Sequence, residues 1–85
     1  MNQAIHFPDR ESWDEKRMAI RLPVLVNGFQ QECLVSVALL QQRYGGDSPE
    51  QWLALFREHR WDLEDELEQT IVAEKWNDQG YYSLS

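Results

Sequence analysis

The sequence predicts an α+β fold, in which a small antiparallel sheet of three to four strands carries two to three helices on one face. Two observations lead to this prediction. In the N-terminal half, two runs of alternating apolar and polar residues flank an Asn-Gly pair, as in a β-hairpin. In the C-terminal half, the apolar residues instead recur at helical spacing. A chain of 85 residues corresponds to one domain, so we assign residues 1–85 to a single unit.

The first predicted strand covers about residues 4–7, where Ile5 and Phe7 lie on one face of a short extended segment. The residues that follow, PDRESWDEKR, are interpreted as a polar connection of mixed charge. Trp13 lies within that connection, and we expect it to fold back onto the core because a large apolar ring favours burial.

The central hairpin has the clearest local pattern, with strands predicted at about 17–26 and 29–35. Asn27-Gly28 is the preferred pair for a two-residue type I′ turn. Such a turn places three pairs on one face: Val26 opposite Phe29, Leu22 opposite Cys33, and Ile20 opposite Val35. Met18 and Val24 continue that face. The other face is predicted to be wetter and carries Arg21, Gln30, Glu32 and Ser36.

Pro23 tests this register because a proline has no N–H to donate to a neighbouring strand. In this register the even-numbered residues of the first hairpin strand bond to the return strand. The Pro23 nitrogen therefore points away from the return strand, and the proline is tolerated. On the outer edge, the missing donor predicts that the first strand pairs only with residues before Pro23.

A short helix is predicted over about 37–44, directly after the hairpin. Ser36 is a suitable N-cap, and Gly45 and Gly46 follow at the end, where glycine commonly terminates a helix. The residues expected to face the core are Val37, Leu40 and Tyr44.

A longer helical pattern begins at Pro49, a residue that suits the first helical position. Ser48 is the predicted N-cap, and Gln51 completes a capping box. The pattern continues to about Trp76, with one apolar stripe formed by Trp52, Phe56, Leu63, Leu67 and Ile71. The residues NDQG then turn the chain into a last strand at about 81–84.

A single straight helix over 49–76 does not fit a domain of this size. It would be roughly 42 Å long, whereas the expected diameter of the domain is roughly 30 Å. The stripe also changes phase, because Arg60 falls inside it and Trp61 falls outside it. We therefore predict a break or kink near 60–62.

The break divides the segment into two helices at about 49–60 and 62–76, with Asp62 as the predicted N-cap of the second. In the alternative, the helix is straight, and Trp61 belongs to a narrower apolar stripe that is available for dimerisation. In both arrangements Arg60 lays its aliphatic stem on the core and extends its charged head to a carboxylate.

Composition excludes several classes of function. Fifteen acidic residues against eight basic ones give a formal net charge of −7, which repels phosphate, so we expect neither nucleic-acid binding nor membrane association. No apolar run approaches the ~18 residues of a membrane span, and the N-terminus lacks the pattern of a signal peptide. Together with a single cysteine, which fits a reducing compartment, these features predict a cytoplasmic protein.

No stretch of the sequence predicts a catalytic, metal or cofactor site. Cys33 falls on the predicted core face, where a thiol is inert. His59 and Asp62 are one helical turn apart, but a metal needs three or four converging ligands, so we interpret them as a surface pair. The glycines of YGGDS lack the lysine of a phosphate-binding loop. We therefore expect no cofactor and favour a protein without enzymatic activity.

The candidate interaction residues lie in the stretch HRWDLEDELE, at the predicted helix break. An acidic helix face beside a tryptophan suits a basic protein partner, with the indole ring as an anchor. The predicted interaction residues are His59, Arg60, Trp61, Asp62, Asp65 and Glu66. A homodimer through the long helix is a separate expectation. The alternative function is a ligand-binding or enzymatic site that uses His59, Arg60 and Asp62 near the break.

Four stretches resemble the YrdB-like family of small bacterial proteins: MNQAIHFPDRESWDE, LPVLVNGFQ, SPEQWLALFREHRWDLEDE and the DQG near the end. The resemblance covers nearly the whole chain, and the segment QECLVSVALLQQR departs most from the family pattern. It implies a small cytoplasmic α+β protein with an N-terminal antiparallel sheet and C-terminal helices. It implies no activity, cofactor or catalytic residue, because the family is a domain of unknown function.

Overall fold

A computed structural model describes residues 4–74 and 80–85 of the chain. Within these residues there are five strands and three helices, with four strands before the helices and one after them. The helices pack against one face of the sheet and enclose an apolar core with it. The predicted α+β class is therefore confirmed, although the sheet contains an additional strand and is not wholly antiparallel.

The central hairpin consists of β3 (Ala19–Val26) and β4 (Phe29–Ser36). Asn27 and Gly28 have φ angles of 54° and 87°, so both central residues of the turn have the positive φ of type I′. The predicted register is confirmed for Val26 with Phe29, Leu22 with Cys33, and Ile20 with Val35.

β3 begins later than residue 17, because residues 15–18 form the turn that leads into it. Met18 ends this turn with a φ of 50°, and 49% of its surface is exposed. The prediction that Met18 belongs to the core face is therefore wrong. Its position in a tight turn removes it from the alternation that the rest of β3 follows.

Two short strands share the outer edge of β3. β1 (Ile5–His6) pairs with the end of β3 at Val26 and Leu25, and β2 (Ser12–Asp14) pairs with its beginning. The segment interpreted as a polar connection thus contains a strand. The prediction that the first strand pairs before Pro23 is also wrong. The chain passes Pro23 between β1 and β2, so the residue without an N–H lies where the edge is unpaired.

On the opposite edge, β5 (Tyr82–Leu84) pairs with β4 in parallel. The sheet is therefore mixed rather than wholly antiparallel, and its five strands occupy four positions. A parallel pair needs a long crossover between its strands, and the three helices supply that crossover here.

The helices are α1 (Val37–Tyr44), α2 (Pro49–Glu58) and α3 (Arg60–Val72). α1 has the predicted bounds. The helix predicted over 62–76 instead ends at Val72, and the predicted end near residue 76 and most of the NDQG turn lie outside the described residues.

Both predicted serine caps are present. The Ser36 hydroxyl oxygen accepts a hydrogen bond from the Leu39 N–H at 3.1 Å, and the Ser48 hydroxyl oxygen accepts one from the Gln51 N–H at 3.3 Å. The Gln51 side chain reaches back to the N–H of Asp47 at 2.6 Å rather than to that of Ser48. The second half of the predicted capping box is therefore displaced by one residue.

The core lies between the helices and the sheet face that carries the predicted apolar pairs. Trp13 folds back from β2 and stacks on Trp52, with ring centroids 5.5 Å apart, as expected of a residue that covers the core. Every member of the predicted helical stripe is buried: Trp52, Phe56, Leu63, Leu67 and Ile71.

The long helical pattern breaks at His59, which has φ −105° and ψ 22°. The break lies one residue before the predicted 60–62, and it excludes the single straight helix. At 1.5 Å per residue α2 and α3 are roughly 15 and 20 Å long, and both fit within a molecule of 40 × 25 × 20 Å. Asp62 is not the N-cap of α3, because it already lies in the first turn and His59 occupies the cap position.

Candidate functional site

Arg60, the first residue of α3, ties the helix break to the N-terminal segment. Its guanidinium donates to the carboxylates of Glu11 and Glu64, each at 2.6 Å, and to the carbonyl oxygen of Pro8 at 3.1 Å. Its terminal carbon lies 5.4 Å from the centroid of the Phe56 ring. Only 15% of the side chain is exposed. Arg60 thus lies over the core and extends to carboxylates as expected, and it acts as a structural clamp.

Glu11 is the central anion of this clamp and receives two cations. Arg57 Nε donates to it at 2.7 Å, and Arg60 Nη1 donates at 2.6 Å. The Glu11 side chain is only 8% exposed. Desolvation raises the pKa of Glu11, but the two arginine hydrogen bonds outweigh it and lower the pKa from 4.5 to about 2. Glu11 therefore remains charged at neutral pH and holds the segment between β1 and β2 against the helices.

His59, at the break, stacks on Tyr44 at the end of α1. The two ring centroids are 3.8 Å apart, and the ring planes differ by 2°. The predicted pair between His59 and Asp62 is not among the ion pairs found in residues 4–74 and 80–85. The aromatic contact holds the imidazole against α1, and Asp62 is exposed to solvent.

Glu66 faces α1 rather than solvent alone. Arg43 donates two hydrogen bonds to its carboxylate, one from Nη1 and one from Nη2, the latter at 2.8 Å. The Arg43 hydrogen bond lowers the pKa of Glu66, even though desolvation acts in the opposite direction. Like Arg60, Glu66 is held by a contact between secondary-structure elements.

Trp61 and Asp65, the remaining predicted interaction residues, lie on the solvent side of α3 together with Glu68 and Val72. We call this surface the outer α3 face and define it as Trp61, Asp65, Glu68 and Val72, spaced by four, three and four residues. Trp61 is 86% exposed and Val72 is 60% exposed. A depression of about 340 Å³ separates this face from β1 and is lined by Ile5, His6, Phe7, Trp61, Glu64, Asp65 and Glu68.

A second depression, of about 370 Å³, lies at the helix break itself. It is lined by Arg57, Glu58, His59, Arg60, Trp61 and Asp62. The side chains proposed for a ligand or enzymatic site therefore do line a concave surface. Two of them are already engaged, because Arg60 binds Glu11 and Glu64, and His59 stacks on Tyr44.

A third concavity, of about 430 Å³, lies on the sheet face opposite the helices. We call it the sheet groove. It is lined by Pro8, Arg10, Ser12, Arg21, Pro23, Leu25, Gln30 and Glu32. Odd-numbered residues of β3 reach this face because successive side chains of a strand alternate between the two faces.

The groups that could support nucleophilic or metal chemistry are poorly placed for it. Cys33 is fully buried, and desolvation followed by the charge of Glu32 raises the pKa of its thiol to about 12, so the reactive thiolate is scarce. In the described part of the chain, no three histidine, cysteine, aspartate or glutamate side chains are grouped to hold a metal ion. None of the described helices has the length and hydrophobicity that a membrane crossing requires.

The chain matches a known protein family. The model of the DUF1488 family, described as a protein of unknown function, matches residues 5–84. The chain belongs to the DUF1488 family. Its relatives include the uncharacterised protein YrdB of Escherichia coli (strain K12), 56% identical over 84 residues, and that of Shigella flexneri, 54% identical. Each alignment covers 99% of both chains.

The fold is also shared with a solved member of DUF1488. This is the crystal structure of a protein of unknown function from Shewanella loihica PV-4, which is 29% identical, with a TM-score of 0.91. The alignment covers 99% of this chain and 94% of that one. The YrdB-like resemblance is therefore confirmed. These DUF1488 relatives are described as uncharacterised or of unknown function.

Two features of this DUF1488 chain were not predicted from its sequence. Glu11 was assigned to a polar connection, and only its position two residues before Trp13 hinted that it lies against the core. Arg10 and the sheet groove were also missed. Their one signal was the predicted wetter face of the hairpin, since Arg21, Gln30 and Glu32 of that face line the groove.

Proposed function

We propose that this DUF1488 protein is a non-enzymatic interaction module that binds a basic protein partner through the outer α3 face. Trp61 is the observation that carries the proposal, because 86% of this large aromatic residue is exposed. It directly follows Arg60, whose guanidinium is held by three hydrogen-bonding partners. The helix backbone that carries Trp61 is thus held in place before binding, which reduces the entropy lost when a partner covers this residue.

Charge supports a basic partner rather than an acidic one. The chain carries a formal net charge of −7, and Asp65 and Glu68 lie exposed between Trp61 and Val72. An aromatic anchor with a charged surround is a common arrangement at protein interfaces, where the anchor contributes affinity and the surrounding charges contribute steering and specificity.

Site-specific crosslinking in the native cell would test this proposal. A photo-reactive phenylalanine analogue would replace Trp61 in one variant and Phe29 in another. Phe29 is a matched control because it is also exposed, at 73%, but lies at the tip of the β-hairpin. We expect a basic protein to be crosslinked from position 61 and not from position 29. Equal yields from both positions, or an acidic partner, would contradict the proposal.

We further propose a cytoplasmic location for this interaction. The only cysteine, Cys33, is a free and buried thiol, as expected where no disulfide forms. Fractionation of native cells should recover the protein with cytoplasmic markers. Recovery with an extracytoplasmic fraction would contradict this part of the proposal.

A homodimer through the same face is the competing arrangement. Trp61 and Val72 supply exposed apolar surface for it, but a symmetric contact would bring Asp65 and Glu68 of both copies close together. Such like-charge contacts are unfavourable. We therefore expect sedimentation at tens of micromolar to show the monomer of 10.1 kDa. A dimer that Trp61→Ala abolishes would favour self-association instead.

The depression at the helix break is the one observation that favours a small-ligand or enzymatic site at His59, Arg60 and Asp62. A small-molecule fragment screen, monitored by amide chemical shifts, tests that alternative. Ligands whose shifts cluster at residues 57–62 would support it, whereas an absence of shifts there would favour the interaction module.

A further inference from the structure

We propose that the sheet groove binds a small carboxylate ligand that has an apolar body. The groove is the largest of the concavities described above, at about 430 Å³, and it lies on the face of the sheet that the helices leave uncovered. Its volume is within the range of about 300–1,000 Å³ that is typical of small-molecule sites. The inference does not depend on the outer α3 face, because the two surfaces share no residue.

The cationic part of the groove consists of Arg10 and Arg21. Arg10 is exposed, and its guanidinium takes part in no ion pair within the described residues. Arg21 lies 3.6 Å from Glu32 and 4.0 Å from Asp14, and both distances exceed that of a good hydrogen bond. A ligand carboxylate can therefore bind Arg10 without first displacing a partner. Arg21 would join it at the expense of its looser contacts with Asp14, Glu32 and the Tyr81 ring, whose centroid is 5.6 Å away.

Arg10 differs from the other arginines of the described chain. Arg43, Arg57 and Arg60 all donate close hydrogen bonds to carboxylates that join separate parts of the fold. Arg10 has no such role, although it lies directly beside Glu11, the anion of the clamp. An arginine that neither stabilises the fold nor faces a carboxylate is the group to which an incoming anion binds most readily.

The apolar part of the groove consists of Pro8, Pro23 and Leu25. Pro23, in the gap between β1 and β2, and Leu25, opposite His6 of β1, project from the same face of β3, so their side chains form a short apolar floor. An aliphatic or aromatic group of the ligand would lie on this floor while its carboxylate reaches the arginines. The groove therefore discriminates by two features at once, an anionic head and an apolar body.

The same geometry disfavours a nucleic acid. Two arginines face the groove together with Glu32, in a molecule whose formal net charge is −7. Phosphate backbones bind through many cations that release counterions together, and such a set is not present here. A carboxylate carries one charge and matches the planar fork of a single guanidinium, so one unpaired arginine is sufficient to bind it.

The test uses the full chain, labelled with ¹⁵N, and three probes: N-acetylphenylalanine, its neutral amide, and inorganic phosphate. We expect the carboxylate to bind with millimolar affinity and to shift the amides of Arg21, Leu25 and Gln30. The neutral amide and phosphate should bind at least about tenfold more weakly, because each lacks one of the two required features. Binding of the neutral amide or of phosphate as tight as that of the carboxylate, or no shifts in the groove, would overturn the proposal.

Three variants identify the groups responsible. Arg10→Gln should weaken the binding of the carboxylate probe about tenfold, which is the usual effect of losing one charge-assisted hydrogen bond. Glu32→Gln should instead increase the affinity for the carboxylate probe, because that change removes a repulsive charge and frees Arg21. Lys16→Gln is the matched control: it removes one positive charge from the neighbouring turn, outside the groove lining, and should leave the affinity within about twofold. Equal losses for Arg10→Gln and Lys16→Gln would show only a general charge effect and would overturn the proposal.

Discussion

Among single residues, Glu11 should have the largest effect on stability of the charged side chains in the described structure. It is nearly buried and binds both Arg57 and Arg60. Its neutralisation leaves Arg57 without a carboxylate partner in the described structure and removes one of the anions that compensate the half-buried Arg60. Glu11→Gln should lower the free energy of unfolding by about 3 kcal/mol at pH 7, as measured by urea denaturation. Glu15→Gln, in the exposed turn before β3, is the control and should change it by less than about 0.5 kcal/mol. Similar effects of the two changes would contradict the clamp.

The same residue predicts a pH dependence of stability. The pKa of Glu11 is about 2 in the folded protein and about 4.5 when unfolded, so its contribution is complete above 4.5 and decreases as the pH falls toward 2. The shift corresponds to about 3 kcal/mol at neutral pH and roughly half of that at pH 3. The stability difference between the wild type and Glu11→Gln should therefore shrink between pH 7 and pH 3. A difference that does not change with pH would show that packing, not charge, stabilises this contact.

At the level of secondary-structure elements, α2 and α3 begin in different ways. The hydroxyl oxygen of Ser48 accepts a hydrogen bond from the N–H of Gln51, whereas His59 at the start of α3 makes no side-chain cap. Ser48→Ala should therefore lower the free energy of unfolding by about 1 kcal/mol. Asp62→Ala should lower it by less, by about 0.5 kcal/mol, because Asp62 only interacts with the dipole of the first turn. Thermal or urea unfolding of both variants checks this order. A larger loss for Asp62→Ala than for Ser48→Ala would indicate that Asp62 caps α3.

Elements defined by local patterns could be predicted from the sequence. The Asn-Gly turn determines the register of β3 and β4, and the apolar stripe of α2 and α3 corresponds to buried residues. β2 could not be predicted, because three residues are too short for a recognisable alternation and its pairing with β3 is a tertiary contact. The parallel direction of β5 also depends on where the crossover returns the chain, which no local pattern encodes.

For the molecule as a whole, residues that are adjacent in the sequence do not form a common site. The stretch HRWDLEDELE suggested one cluster, but the helix wraps these residues around its axis, and their partners lie in two separate parts of the fold, α1 and the segment between β1 and β2. Arg60 contacts the N-terminal segment, Glu66 contacts α1, and Trp61 faces solvent. The kink near Trp61 could be foreseen from helix length and phase. The roles of the individual side chains could not, because they depend on which element packs against each side of α3.

The two proposed surfaces lie on different sides of the fold, and this separation leads to a final prediction. The outer α3 face contains Trp61 and is acidic, whereas the sheet groove contains Arg10 and lies beyond the core, on the uncovered side of the sheet. The two sites have no residue in common, so changes in them should act additively. Trp61→Ala should abolish binding of the partner and leave the affinity for N-acetylphenylalanine within about twofold. Arg10→Gln should weaken the binding of N-acetylphenylalanine and leave the binding of the partner unchanged.

The double variant Trp61→Ala with Arg10→Gln then distinguishes independent sites from coupled ones. Its effect on the carboxylate affinity should equal that of Arg10→Gln alone, within about 0.5 kcal/mol. A larger deviation would mean that the two faces communicate through the sheet and helices between them. In that case binding of the ligand would have to change the affinity for the partner by the same factor, because coupling between two binding sites is reciprocal. Measuring partner binding with and without N-acetylphenylalanine checks this requirement directly.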